Sequence, residues 1–156
     1  MRFTGGLALS LMLLLPLTTS VSGQVSRTRF HQQVNPYTRN LPKIERVELL
    51  KLKKRGDLWN GEIESRKIVT GIEAQTIATL WRRQSYSPDS AACHFPGYAI
   101  KFYAEDQPIV YASLCWECDN IGFIEPALGL RAEFEGKGKM GMKLLRIFQE
   151  AFPDSR

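Results

Sequence analysis

Residues 98–104 (YAIKFYA) and 109–116 (IVYASLCW) are two runs rich in aromatic and β-branched residues. Glu105-Asp106-Gln107-Pro108 separates them. Such runs around a short polar break predict a β-hairpin. A hairpin is a strong constraint, because residues that face each other across it have a constant index sum. With the turn centred between residues 105 and 107, that sum is about 211–213. Cys93 then lies opposite residues 118–120. All three cysteines of the chain, Cys93, Cys115 and Cys118, are therefore expected at one end of the hairpin, with His94 beside them.

The flanking segments extend the pattern. Residues 44–52 (IERVELLKL) and 62–69 (EIESRKIV) read as strands, and Ile121 to Ile124 as a short one. Thr70-Gly71-Ile72-Glu73 fits a capping box. Behind it, Ala74, Ile77, Ala78 and Trp81 follow the helical i, i+3, i+4, i+7 spacing, so residues 71–84 predict a helix. Residues 126–138 contain Pro126, Gly129, Gly136 and Gly138 and read as loop. A second apolar stripe, Met140, Leu144, Ile147, Phe148 and Ala151, predicts a final helix that stops before Pro153. Strands and helices do not alternate regularly, which disfavours a parallel sheet. The expected fold is α+β: a small antiparallel sheet with a central β-hairpin and two helices packed on one face.

Residues 1–23 have the order of a secretory signal peptide, with Arg2, an apolar run from Gly5 to Leu17, then small and polar residues. The run is about 13 residues, whereas roughly 20 are needed to span a bilayer. Cleavage is expected after Gly23, leaving 133 of the 156 residues and a net charge of +4 instead of +5. The expected division is signal peptide 1–23, a flexible polar arm 24–42, a single α+β domain 43–152 and a tail 153–156. The product is expected outside the cytoplasm, periplasmic or extracellular, and not transmembrane. With 44% hydrophobic and 24% charged residues, the chain is not disordered or of low complexity. The densest basic cluster, Lys51, Lys53, Lys54 and Arg55, ends an apolar segment and reads as a solvated strand end, so no nucleic-acid partner is expected.

Three chemistries compete for the cysteine cluster. An oxidising compartment favours a disulfide, such as Cys93–Cys118, with the third thiol left over. Cys93, His94, Cys115 and Cys118 also supply the ligand count of a closed tetrahedral zinc site, with zinc as the implied metal. Cys115-Trp116-Glu117-Cys118 is further a CxxC motif, the pattern of thiol–disulfide exchange. Here it ends a strand and Asp119-Asn120-Ile121-Gly122 follows, so the helix that such a motif opens is missing. His94 with Glu117 or Asp119 makes a nominal general-base pair, against the reading of a histidine that caps a turn or packs on Trp116. His31 falls in the polar arm. Ser85, Ser90 and Ser113 lack a Gly-x-Ser-x-Gly context, and Gly136, Gly138 and Gly141 match G-x-G-x-x-G without a βαβ setting.

Cys93, His94, Pro96, Ile100, Phe102, Tyr103, Cys115, Trp116, Cys118 and Asn120 together form a pattern of Cys-His-x-Pro, a strand, then Cys-Trp-x-Cys-x-Asn. This stretch of about 30 residues resembles a family of small exported proteins of Gram-negative and related bacteria. The resemblance implies that the two cysteine segments belong together and implies no substrate.

The expected function is a binding or structural module of the cell envelope, without catalysis, whose partner is an envelope protein or small ligand. The cluster would hold the loop after Cys118 and the turn at Pro96-Gly97 in one geometry. Tyr98, Trp116 and Phe123 are candidate contact residues. The alternatives are a zinc-binding protein, structural or hydrolytic, and a redox protein.

Overall fold

A computed structural model describes residues 22–53, 61–89, 92–125 and 129–153. Apart from Ser22 and Gly23, the expected signal peptide lies outside these residues, as do Lys54, Arg55 and residues 154–156. The elements run α1 (Ser22–Val34), a 3-10 turn (Asn35–Tyr37), β1 (Arg46–Leu52), β2 (Ile63–Thr70) and α2 (Gly71–Arg82). There follow β3 (Tyr86–Ser87), β4 (Tyr98–Ala104), β5 (Gln107–Cys115), β6 (Asn120–Glu125), β7 (Arg131–Phe134) and α3 (Lys139–Ala151). Among the described residues the strands form one seven-stranded sheet in the order β2-β1-β4-β5-β6-β7-β3. The described pairings are all antiparallel. The chain is thus a mixed α+β protein.

The β4–β5 hairpin turns at Glu105 and Asp106, both at positive φ (48° and 60°). Two consecutive residues of this kind make the tight turn whose twist matches that of the flanking strands. Tyr98 pairs with Leu114 and Phe102 with Val110, and one irregularity near Tyr103 absorbs the extra residue Ile109. Alternation along each strand separates the two faces. Val47, Leu49, Ile100, Phe102, Val110, Ala112, Leu114, Ile121, Phe123, Ala132 and Phe134 point into the main core. There they meet Ala74, Ile77, Ala78 and Trp81 of α2 and Leu144 and Phe148 of α3. The intervening residues, among them Leu50, Ala99, Ser113, Cys115 and Asn120, turn to the other face.

Three expectations are corrected. The sheet is larger than the small one expected, because Arg131–Phe134, read as loop from its flanking glycines, pairs with β6, and Tyr86–Ser87 pairs with it in turn. The segment read as a flexible arm contains a third helix. Its Phe30 and Val34, together with Leu41, are buried in the main core, and the Trp81 indole N–H donates to the Tyr37 carbonyl at 2.9 Å. Three apolar side chains spread over 12 positions give no legible periodicity, yet they suffice once a core exists to receive them. The capping box at Thr70 does not form. Gly71 adopts φ +61°, Thr70 makes no side-chain cap bond, and Glu73 instead lies 3.7 Å from Lys67.

Trp81 is the hub of the core. It is fully buried and lies 5.2 Å from the Phe102 ring, 6.0 Å from Tyr86 and 6.4 Å from Phe123. Tyr86 donates its hydroxyl to the Trp81 carbonyl at 2.9 Å, and burial raises the pKa of that phenol well above its ordinary value. Trp81→Ala should lower unfolding stability by about 3–5 kcal/mol, as expected for emptying an aromatic site. Ile72→Ala, at a side chain 88% exposed on the same helix, should change it by less than about 0.5 kcal/mol. Urea unfolding of both variants checks the pair.

Candidate functional site: a pinned strap over the open end of the hairpin

Residues 92–97 run as a strap across the sheet face opposite the helices. Their alignment follows from what the sheet offers there. Ser113 on β5 and Asn120 on β6 point to this face because Ala112, Leu114 and Ile121 point into the core. The Cys115–Asn120 pair closes the β5–β6 hairpin, and residues 116–119 form its turn. Asp119 at φ 49° completes the reversal.

His94 is the centre of the site. Its Nδ1 lies 2.5 Å from the Asn120 carboxamide oxygen and its Nε2 lies 2.7 Å from Ser113 Oγ. Asn120 Nδ2 donates to the Cys93 carbonyl at 2.6 Å, which fixes the amide orientation. Oδ1 can only accept, so Nδ1 carries the imidazole proton. In the neutral ring Nε2 then accepts from the Ser113 hydroxyl. The Gly122 carbonyl, 3.3 Å from Oγ, is the weaker alternative acceptor. The strap has further ties. Arg131 on β7 donates to the Ala92 carbonyl at 2.9 Å, and the Leu52 N–H of β1 donates to the Gly97 carbonyl at 2.9 Å. Cys93 and Cys118 are paired at disulfide distance, with Cα atoms 6.1 Å apart and 25 positions of separation. The strap is thus held from four strands and one turn.

Cys115 is the unpaired cysteine, buried beside this pair. The backbone N–H of Cys118 donates to its Sγ at 3.3 Å. Cys93, His94, Cys115 and Cys118 do gather at one end of the hairpin, but they do not form a ligand cage. Cys93 and Cys118 lie at disulfide distance from each other, and both His94 nitrogens are engaged by Ser113 and Asn120. No group of three or more His, Cys, Asp or Glu among the described residues is placed to hold a metal ion. Nor does His94 pair with Glu117 or Asp119. Glu117 is exposed, and Asp119 faces Lys137 at 3.5 Å.

The candidate contact residues fall elsewhere. Phe123 is fully buried near Tyr37 and Trp81. Tyr98 and Trp116 are half-buried against α3, both near Phe148 at 4.9 and 5.7 Å, and the Trp116 indole donates to the Gly141 carbonyl at 3.3 Å. All three pack inward: Tyr98 and Phe123 fall on strand positions of the core side, and Trp116, in the turn, is held by Phe148 and the Gly141 carbonyl. The exposed aromatic of the site is Phe95, 52% accessible on the strap itself. The Gly136-x-Gly138-x-x-Gly141 match is also a packing feature. A Cβ on Gly141 would collide with the carbonyl oxygens of Glu135 and Gly136, so glycine lets α3 start against the turn that precedes it.

Ser113 and Asn120 complete the site, and neither is marked in the sequence as a partner of His94. Ser113 is a hydroxyl inside an otherwise apolar strand, two positions before Cys115, and hence on the same face. That alternation was the available signal. Its pairing with His94, 19 positions away in the chain, is what no local pattern shows.

Burial lowers the His94 pKa below its ordinary value of 6.5; the Asn120 hydrogen bond opposes this and the Arg131 charge adds to it. The unfolded chain therefore binds this proton at a higher pH than the folded one. His94 contributes its full stability above about pH 6.5, and that contribution is lost as pH falls toward the folded pKa. Unfolding free energy should decline between pH 7 and pH 5, and His94→Gln should flatten that slope. Urea titrations at four pH values test this, and a slope that survives in the variant assigns it to other groups. Asn120→Ala orphans the His94 Nδ1 proton and the Cys93 carbonyl together and should destabilise by about 1–3 kcal/mol. Comparisons with family models, curated proteins and solved structures return no match to this chain.

Proposed function

We propose that the chain is an exported cell-envelope module that binds or supports a partner, and that its cysteine–histidine cluster is a structural pin for the strap that meets that partner. One observation carries this reading: the imidazole, hydroxyl and carboxamide of the site are spent on one another. Ser113 and Asn120 are fully buried and His94 is 4% exposed. A pin needs that arrangement, since each buried polar group must find its partner inside the protein. What the strap offers outward is Phe95, an exposed aromatic on a segment held rigid from behind. A preorganised aromatic loses little freedom on binding, which is what a recognition surface requires. Export supports the disulfide, and among the described residues no helix is long and apolar enough to cross a membrane. The partner is an envelope protein or a small ligand.

A second reading has a specific observation behind it. Ser113 Oγ, His94 and the Asn120 carboxamide stand in the order nucleophile, base, orienting group, with the Oγ–Nε2 contact of 2.7 Å in the range such a constellation needs. Catalysis further requires that a substrate carbonyl reach Oγ, and Ser113 has no exposed surface. The pin therefore ranks above the hydrolase.

One set of measurements separates the readings. The chain is recovered from the exported fraction of its host, its intact mass is taken, and it is assayed with a p-nitrophenyl ester beside Ser113→Ala. The expected result is a chain beginning at Gln24, two hydrogens lighter than its reduced form, free of metal, with ester turnover identical to the variant. Turnover lost in Ser113→Ala would make the site hydrolytic. A mass raised by one zinc ion would make it a metal centre. A full-length chain retained in the cytoplasm would overturn the envelope assignment.

A further inference from the structure

The proposed pin leaves one sulfur without a task. Cys115 makes no bridge, yet it is not placed at random in the core. Its Sγ accepts from the backbone N–H of Cys118, the residue whose own sulfur is already bonded to Cys93. We propose that Cys115 exchanges with the existing bridge, forming Cys115–Cys118 and releasing Cys93 as a thiol open to covalent modification.

Three features of the site lead there. The first is reach. Cys115 ends β5, and Cys118 lies three residues on within the turn at residues 116–119 that joins β5 to β6. The Cys118 backbone nitrogen lies 3.3 Å from Cys115 Sγ, which keeps the two residues close, and a disulfide needs Cα atoms about 4.4–6.8 Å apart. The N–H to Sγ hydrogen bond holds the Cys115 sulfur on the concave side of that turn. The second is the difference in exposure. Cys115 and Cys118 are buried, whereas Cys93 is exposed. The product bridge would lie inside the protein and the leaving sulfur at the surface. The third is that the strap has other anchors. His94 to Ser113 and Asn120, Arg131 to Ala92 and Leu52 to Gly97 are all independent of the Cys93 sulfur. The bridge can therefore move without the strap coming free.

The step balances without an outside oxidant. Cys115 loses its proton, and its sulfur bonds to Cys118 Sγ. The Cys118–Cys93 bond breaks, and Cys93 leaves as a thiolate that takes up a proton. One disulfide and one thiol are present before and after. The released Cys93 then takes an electrophile, or one sulfur of a low-molecular-weight disulfide whose other sulfur departs as a thiolate. The modification site is thus a residue that the resting structure holds in a bridge.

The test uses the folded, oxidised full chain and N-ethylmaleimide. Labelling is run without denaturant at several pH values, quenched in acid and mapped by pepsin digestion, which prevents scrambling. The expected result is a single label on Cys93, a cross-linked peptide pair joining Cys115 to Cys118, and a rate that rises with pH as thiolate forms. Cys115→Ala and Cys115→Ser should keep the Cys93–Cys118 bridge and lose native labelling by at least about tenfold, since the attacking thiolate is gone. Label found on Cys115 with Cys93–Cys118 intact would overturn the proposal. So would no native labelling, or labelling of Cys93 that persists in both variants. The mapping of the unsubstituted chain decides the matter even if a variant fails to fold.

Discussion

Two residues at positive φ, Glu105 and Asp106, close the β4–β5 hairpin, and the register they set governs what happens at its other end. Tyr98 faces Leu114, so the chain entering β4 and the chain leaving β5 emerge side by side. The entering chain carries Cys93 and His94. The leaving chain carries Ser113, Cys115 and Cys118. A shift of one residue would turn Ser113 into the apolar core and a leucine or alanine toward the strap. Neither the His94 hydrogen bonds nor the Cys93–Cys118 pairing would survive that shift. The pin is thus a readout of strand register, and it stabilises the register that produces it.

The two faces of the sheet divide the labour. The helix-bearing face is apolar and closed around Trp81. The opposite face has, at the strap end, a small polar interior beside the buried apolar side chains Leu50, Leu52 and Ala99. Burying a histidine, a serine and an asparagine is unfavourable unless each finds a partner, and here each does. The imidazole bridges Ser113 to Asn120, and Asn120 bridges His94 to the strap backbone. Direction comes with this solution. Apolar side chains would fill the space in several ways, whereas hydrogen bonds of fixed geometry admit one placement of the strap.

The hairpin, the helix over 71–82, the final helix and the meeting of the two cysteine segments are legible because each rests on a local pattern. Turn residues, period-two alternation, the helical stripe at Ala74, Ile77, Ala78 and Trp81, and a constant index sum are all properties of neighbours in the chain. The third helix, the strand at Arg131–Phe134 and the two-residue strand at Tyr86 are not legible. Each is short or weakly patterned and exists because an edge or a core already formed elsewhere accepts it. The packing of Tyr98, Trp116 and Phe123 is not legible for a related reason. Aromaticity marks Tyr98, Trp116 and Phe123 as interesting, but only the pleat says which way they point.

The sequence by itself determined that Cys93, His94, Cys115 and Cys118 meet, since a hairpin's arithmetic follows from where its turn lies. It left disulfide, zinc and exchange chemistry open, since all three draw on the same residue types at the same spacing. Tertiary structure decided among the side chains. It gave both imidazole nitrogens to Ser113 and Asn120, paired Cys93 with Cys118, and left Cys115 on the inner side of the turn. Those choices depend on directions and distances between segments some 20 residues apart, with Asn120 lying 26 positions beyond His94. Propensity and spacing carry no record of such directions, because they arise only when two strands, a turn and a strap are packed at once.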